Sequence, residues 1–463
     1  MLKFYQKGVD IMLTRDFEEK LLSWKNNPHK KAFCIFGARQ IGKTTTVREF
    51  AKKHYDHFCE INFFETPKAK EIFDGDLDAN TIIMGISAFT KMKLEPKKTL
   101  IFFDEIQKCP NARCAIKFLV EDGRFDYIES GSLLGVNVED IPSLPVGFEE
   151  EHNMYPMSFK EFAAANGIQK ETFDYLEDCF HNEKPVSDVI HSTMQKLFYA
   201  YLVVGGMPEA VQVFLDTHDI ARVIEYQTSI LSKYRQDISQ YAPQSDKVKI
   251  KAIFDSIPAQ LAQKNRRFMV NSVDKNARLL RYQDSFYWLV DAGVALPCYN
   301  TSAPIMPLAL NEKRSLFKLF SNDVGLLCAA SMSDIQFDLL QGDVSVNLGS
   351  VLENAIAQEL RCNGFELRYY DSNKLGEVDF VIKLGNQVVV VEAKSGNDYT
   401  EHTALKNVLK VTDWNIKKAI VLCKGNVENE GVITYLPWYM MMFIKQPKID
   451  KMIYNIDIQN ILQ

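Results

Sequence analysis

Two short stretches carry residue types whose spacing can do chemistry. The first is GARQIGKT, residues 37–44, which fits GxxxxGK[ST] with Gly37, Gly42, Lys43 and Thr44 in place. Glycines there let backbone N–H groups close around phosphates at the start of a helix. The lysine reaches the β- and γ-phosphates, and the threonine hydroxyl ligates Mg²⁺. Ala38, Arg39, Gln40, Ile41 and Thr45 complete the expected nucleotide-contacting loop. Further on, TLIFFDE is an apolar run ending in Asp104, a second Mg²⁺ anchor, and Glu105, placed to orient a water for attack on the terminal phosphate. Ser130, at the end of FDYIES, is placed to sense the γ-phosphate; a plain strand-end serine is the alternative. Both motifs, in this order and context, indicate ATP and Mg²⁺ as ligands.

The second stretch is VVVVEAKSG, residues 388–396. Four valines read as a strand buried on both faces, yet Glu392 and Lys394 follow at once and share one face. EVDFVI places Asp379 in a neighbouring strand, and the short GNQ turn lets a hairpin set Asp379 beside Glu392. Glu353, in ENAIAQEL, lies on the preceding helix, where its face can overhang the sheet. Carboxylates sharing a hard divalent ion, with a lysine to orient or deprotonate water, form a hydrolytic metal site. On that reading Glu353, Asp379 and Glu392 are metal ligands, and Glu392 and Lys394 are catalytic. The alternative is a structural cluster in which lysine neutralises buried carboxylates.

The elements that must position these residues follow from periodicity. KAFCIF, HFCEINF, TLIFFDE and FDYIES read as apolar strands separated by helical segments, which argues for a parallel sheet covered by helices. From about Pro156 the pattern is helical only. Residues 246–300 hold further helices and end in WLVDAGVALPCYN, a helix, a glycine turn and a strand-like run compatible with a winged helix. The chain then becomes mixed again, with strands at FELRYY, EVDFVI, QVVVVEAK and KAIVLC.

The 463 residues are 46% apolar and 25% charged, an ordinary globular composition with material for two to four domains. Nine scattered cysteines without a CxxC read as free thiols of a reducing compartment. No secretory signal or apolar run of about 20 residues is present, so a cytoplasmic protein without membrane spans is expected. The net charge of −6 hides an asymmetry: residues 233–283 hold eleven Lys/Arg against four acids, +7, and the remainder sums to −13. Such a basic stripe is a footprint for phosphate contact and hence for DNA; a solvated face, or a contact with the acidic remainder, is the alternative.

With GARQIGKT, FFDEIQ, ESGS, PMSFKEF, YLVVGGMPEAV, YRQDI, WLVDAG, FKLFSNDVGLL, ENAIAQEL, EVDFVI and VEAKSG quoted together, the chain resembles the AAA+-related prokaryotic ATPases that carry a C-terminal domain of unknown function. The D…ExK pattern resembles PD-(D/E)xK nucleases. The resemblance implies an α/β protein with a P-loop, parallel-sheet ATPase core (1–155), a helical lid (156–240), a winged-helix-like segment (241–310) and a restriction-endonuclease-like α/β domain (311–463). One departure stands out. The family usually carries a basic residue after the glycine of LPVGFEEE, where this chain has Phe148, and no arginine occurs between Arg124 and Arg222. An arginine finger is worth 10³–10⁵ in rate, so slow hydrolysis is expected. Two functional readings follow: an ATPase whose nucleotide state governs a DNA-acting, nuclease-like domain, or an ATP-controlled binding switch whose nuclease-like domain is catalytically inactive.

Overall fold

The computed structural model describes residues 13–131, 145–263, 266–274, 278–331, 340 and 348–447. Its first sheet is built from β1 (Ala32–Phe36), β2 (His57–Asn62), β3 (Thr99–Asp104), β4 (Asp126–Gly131) and β5 (Glu149–Asn153), all parallel, in the order β2-β3-β4-β1-β5. β1 and β3 are buried at every position. Phe33, Ile35, Leu100 and Phe102 pack toward α1 (Phe17–Lys25) and α2 (Lys43–His54). Ile101, Phe103 and Tyr127 pack toward α3 (Ala79–Thr90) and α4 (Pro110–Asp122). Apolar residues at consecutive strand positions are thus consumed on both faces, as a covered parallel sheet requires. β4 lies between β1 and β3, so the strand order reverses beside the phosphate-loop strand, the position at which open α/β sheets bind ligands.

The four strands expected from apolar runs are present. The fifth, β5, was not expected: EEEHN has no apolar pattern, because it is an edge strand whose side chains find polar partners. Arg113 of α4 bonds Glu149 at 2.9 Å and Glu151 at 3.3 Å, and His152 stacks on Phe33.

Residues 156–240 are helical, as expected: α5 (Phe159–Ala165), α6 (Lys170–His181), α7 (Asp188–Val204), α8 (Pro208–Thr217) and α9 (Ile220–Tyr241). Ser158 and Glu161 form a capping box that starts α5. α10 (Lys247–Leu261) and α11 (Gln283–Asp291) lead into the antiparallel pair β6 (Ala295–Thr301) and β7 (Glu312–Ser321). β6 also pairs, in parallel, with β8 (Arg368–Ser372), itself antiparallel to β9 (Gly376–Val378). The division expected at 310/311 therefore runs through one sheet, because the free edge of β6 is satisfied by a strand distant in sequence.

A third sheet, β10-β11-β12-β14-β13, comprises β10 (Phe380–Leu384), β11 (Gln387–Ala393), β12 (Lys418–Cys423), β13 (Glu428–Glu430) and β14 (Ile433–Pro437). β11 answers its valine run directly: Val389 and Val391 enter the central core, whereas Val388 and Val390 enter a second one on the opposite face. The helix Leu348–Cys362 is buried nearly all round, against α7, α12 (Val324–Ser331), β7 and β11. One core thus runs from the first sheet through the helices into the C-terminal part. None of the nine cysteines is in a disulfide, and among the described residues no helix is long and apolar enough to cross a membrane.

The junction between these parts is tight. A Cβ on Gly206 would sit 2.1 Å from the Met157 carbonyl oxygen, and Met157 N–H donates to Gly206 O at 2.6 Å. Gly206→Ala is therefore expected to destabilise the chain by about 3 kcal/mol, the upper end of the usual overpacking cost. Equilibrium urea unfolding measures it; a loss below about 0.5 kcal/mol would show that the junction relaxes freely.

Candidate functional site

The phosphate loop turns on two glycines. Gly37 has φ +150° and a Cβ there would meet Met154 O at 2.4 Å; Gly42, with φ +91°, caps α2. Side chains are excluded at both points, so the backbone is free to wrap an anion at the helix start. Lys43 is directed back over the loop, donating to Gly37 O at 2.9 Å and Ala38 O at 2.8 Å. Burial pushes its ammonium down to about 8, against the opposing pull of Glu105 and Asp104. A lysine held in this way is desolvated and aimed where phosphate oxygens would bind.

β3 and β4 deliver the remaining groups. Asp104 is buried; its carboxylate accepts from Thr44 Oγ1 at 2.9 Å, Asn62 Nδ2 at 3.0 Å and Ser130 Oγ. Thr44 and Asp104 are oxygen donors held together beside the glycine cradle, a set that fits Mg²⁺. Glu105 adopts a left-handed backbone (φ 55°, ψ 44°), a strained conformation for a residue with a Cβ, and its carboxylate accepts from Gln107 Nε2 at 2.5 Å. Strain of that kind concentrates at functional positions. The structure thus brings Lys43, Thr44, Asp104, Glu105 and Ser130 to one crevice, with Ser130 bonded to the expected Mg²⁺ anchor.

Other residues of the site were not legible as motif. Arg15, ahead of α1, donates to Ile41 O at 2.6 Å and Tyr155 O at 2.7 Å and pairs with Glu161, bracing the loop from behind. A cavity of about 320 Å³ opens beside it, lined by Thr14, Gly42, Thr45, Thr46 and Pro208. On the other side α9 closes on the loop: Arg39 bonds Asp237 at 2.5 Å and Tyr241 at 3.2 Å, and Tyr234 donates to Arg39 O. Gly293 approaches so closely that a Cβ would lie 2.8 Å from Ala38 N. Gln40 stands in the left-handed region (φ 64°). Phe148, where the sequence resemblance leads one to expect a basic residue, is a partly buried core residue with the Lys117 ammonium 5.7 Å over its ring.

The C-terminal carboxylates are arranged differently from the sequence expectation. The β10–β11 hairpin does set Asp379 next to Glu392, since Phe380 pairs with Val391, and Asp379 accepts from Ala393 N at 2.8 Å. Lys394 pairs with Glu392 at 3.0 Å. Burial, with Asp379 second, pushes the Glu392 carboxyl up to about 8, and its Oε2 has no hydrogen-bond partner. Glu353, however, faces a different cation. Lys318 of β7 is fully buried and lies 3.2 Å from Glu353, 2.5 Å from Glu377 and 3.9 Å from Asp379; Arg266 also pairs with Glu353. Among the described residues no group of three His, Cys, Asp or Glu is placed to hold a metal ion. An ammonium supplies the positive charge that a divalent ion would bring, so as arranged Glu353, Asp379 and Glu392 do not fit a shared ion. Lys318 reads in sequence as one polar residue in FKLF, and only its burial reveals the pairing.

The basic segment is partly self-neutralised. Arg235 pairs with Asp255 at 2.7 Å, Lys249 with Asp246 at 2.7 Å, and Arg266 is engaged with Glu353. Lys233, Lys251, Arg278 and Arg281 are exposed, while Lys264 and Lys275 lie outside the described residues.

Comparison with known proteins bears on the first of these sites. Residues 29–163 match the family model of an AAA domain, residues 195–336 a domain of unknown function (DUF8612), and residues 348–440 another (DUF4143). No protein of curated function matches. Among solved structures, the Walker-type ATPase PABY2304 of Pyrococcus abyssi is 13% identical, with 69% of this chain and 96% of that one covered at a TM-score of 0.41. The Aeropyrum pernix ORC1 protein, solved in complex with DNA, is 11% identical, covering 70% and 94% at a TM-score of 0.28. The Thermotoga maritima RuvB Holliday junction branch migration motor is 11% identical, covering 61% and 89% at 0.29. Residues 29–163, which gather the glycine loop, Asp104, Glu105 and Ser130 into one crevice, match the model of an AAA domain and form a parallel-sheet, P-loop ATPase-like unit.

Proposed function

We propose that the chain binds Mg·ATP at this crevice, hydrolyses it, and uses the nucleotide state to set the arrangement of its helical and C-terminal parts on a nucleic-acid or protein partner. The observation that carries this reading is the convergence of Lys43, Thr44 and Ser130 on Asp104 and the glycine loop. Loop N–H groups and Lys43 bind the phosphates, with Ala38, Arg39, Gln40, Ile41 and Thr45 enclosing them. The nucleoside enters the cavity beside Thr45 and Pro208. Thr44 and Asp104 would hold Mg²⁺, which neutralises phosphate charge when bound. Glu105 orients the attacking water, and Ser130, through its bond to Asp104, registers the terminal phosphate.

A continuous polar path supports transmission to the C-terminal part. Gly206 N–H donates to Asp323 at 2.6 Å, Gln358 donates to Tyr201 Oη at 2.9 Å, and Phe159 N–H donates to Glu359 at 3.0 Å. These bonds join the exit of the ATPase sheet, α7 and the helix Leu348–Cys362.

Lys318 favours a C-terminal domain that docks rather than cuts. If Glu353, Asp379 and Glu392 instead shared an ion, with Lys394 activating water, DNA cleavage would follow. An ATPase assay with and without DNA, beside a nuclease assay in Mg²⁺ and Mn²⁺, separates the readings: turnover without cleavage is expected, and metal-dependent cleavage lost in Asp379→Ala overturns the docking role. Because no arginine lies between Arg124 and Arg222 to serve a neighbour, specific activity is expected to stay flat as protein concentration rises; a steep increase would reveal activation by a second copy.

A further inference from the structure

Arg39 sits in the phosphate loop itself, yet its side chain is spoken for. Its Nη1 is 2.5 Å from Asp237 Oδ1, its Nη2 is 3.2 Å from Tyr241 Oη, and its guanidinium lies 5.1 Å from the Tyr241 ring centroid. The same tyrosine receives Lys108, directly after Glu105–Gln107, at 3.4 Å. One end of α9 therefore meets both the phosphate loop and the segment carrying Glu105. The guanidinium also lies within the electrostatic reach of Glu105 and of Lys43. Asp237 is 6% exposed, and its second oxygen, Oδ2, is buried without a partner. The carboxylate is thus only half satisfied, a poor trap for an arginine that has a better anion to reach.

Resting on the ATP-hydrolysing reading above, we propose that Arg39 is the chain's own finger. On ATP binding its guanidinium exchanges Asp237 for the terminal phosphate, stabilises the charge that develops there, and by leaving α9 couples the phosphate state to the position of that helix. A planar guanidinium suits either partner, because carboxylate and phosphate both accept its paired N–H donors. In the step it assists, the water oxygen bonds the terminal phosphorus and the bond from phosphorus to the bridging oxygen breaks. The electron pair leaves on ADP, and the water's proton passes by way of Glu105 to solvent. The reaction thus consumes ATP and water and yields ADP, phosphate and a proton. The position answers the lack of arginine between Arg124 and Arg222: the missing charge is supplied within the same loop, in cis, rather than by a neighbour.

The test uses the full chain and compares wild type with Arg39→Ala, Arg39→Lys and Asp237→Asn for fluorescent-ATP affinity, steady-state turnover, and binding of ADP with aluminium fluoride, which mimics the transferring phosphoryl group. Arg39→Ala is expected to lower kcat by at least tenfold, toward the 10³-fold loss typical of a finger. ATP affinity should change by less than about threefold, and the tightening of ADP by aluminium fluoride should disappear. Asp237→Asn should raise kcat, because it releases the arginine, and Arg39→Lys should recover part of the activity and the wild-type melting temperature. Wild-type kcat in Arg39→Ala overturns the proposal. So does a shared loss of ATP affinity and melting temperature in Arg39→Ala and Asp237→Asn, which would make the pair a structural clamp. If wild type itself neither binds nor turns over ATP, the nucleotide reading fails first, and that result is distinct from failure of Arg39 alone.

Discussion

Lys43→Ala is expected to abolish tight Mg·ATP binding, whereas Glu105→Gln is expected to keep ATP bound and stop its hydrolysis. These opposite outcomes follow from what each side chain does in the crevice. Lys43 is half-buried against the loop carbonyls, and on the proposed reading its ammonium is the charge the β- and γ-phosphates meet. Losing it removes a charge-assisted contact present with ATP in the ground state as well as in the transition state, so affinity falls. The Glu105 carboxylate is held by Gln107 on a strained backbone. Replacing it by the isosteric amide preserves shape and hydrogen bonding but removes the base, and a loss of about 10²–10⁴ in kcat is expected for a general base. Equilibrium binding of a fluorescent ATP analogue and phosphate release under single-turnover conditions measure the two separately. Unchanged turnover in Glu105→Gln would end its assignment.

The second large effect lies at Lys318. Its removal, as Lys318→Met, leaves the buried Glu353 and Asp379 and the half-buried Glu377 without their shared cation. Breaking a buried pair by deleting one partner costs about 3–5 kcal/mol, because the surviving charge is uncompensated. Arg266 tempers this on Glu353 only, leaving the other two without it. Lys394→Met, at a lysine with 26% of its side chain exposed, should cost much less. Thermal melting of the full chain reads both variants, with Mn²⁺ and Mg²⁺ titrated into each. Wild type is expected to show no metal-dependent shift, since the ammonium already neutralises the cluster. In Lys318→Met the ion should recover part of the lost stability by mass action at the vacated carboxylates. A wild-type shift that vanishes in Asp379→Ala would restore the shared-ion site. The full chain is needed because a fragment beginning near residue 340 lacks β7, and with it Lys318, as well as α7 and α12 against which the helix Leu348–Cys362 is buried.

Residues close in the chain and bound by local geometry were legible in the sequence alone. The glycine loop, Lys43 and Thr44 belong to one strand–turn–helix unit, so spacing dictates their arrangement. Asp104 and Glu105 follow an apolar strand that could only be interior. Asp379 falls beside Glu392 because a short turn leaves the hairpin one register that keeps both valine faces buried. What required the tertiary structure is everything decided by pairing at long range. β5 is a strand because β1 offers it hydrogen bonds and Arg113 neutralises its glutamates, which no periodicity of EEEHN conveys. β6 and β8 share a sheet across the expected 310/311 division. Arg39 reads as a loop residue until Asp237 and Tyr241 of α9 are seen to hold it. The question of metal or lysine at the C-terminal carboxylates turns on the same physics. A carboxylate in an apolar setting demands a counter-charge, and that demand is visible in VVVVEAK. Which cation answers it depends on where β7 packs, and packing put Lys318 there.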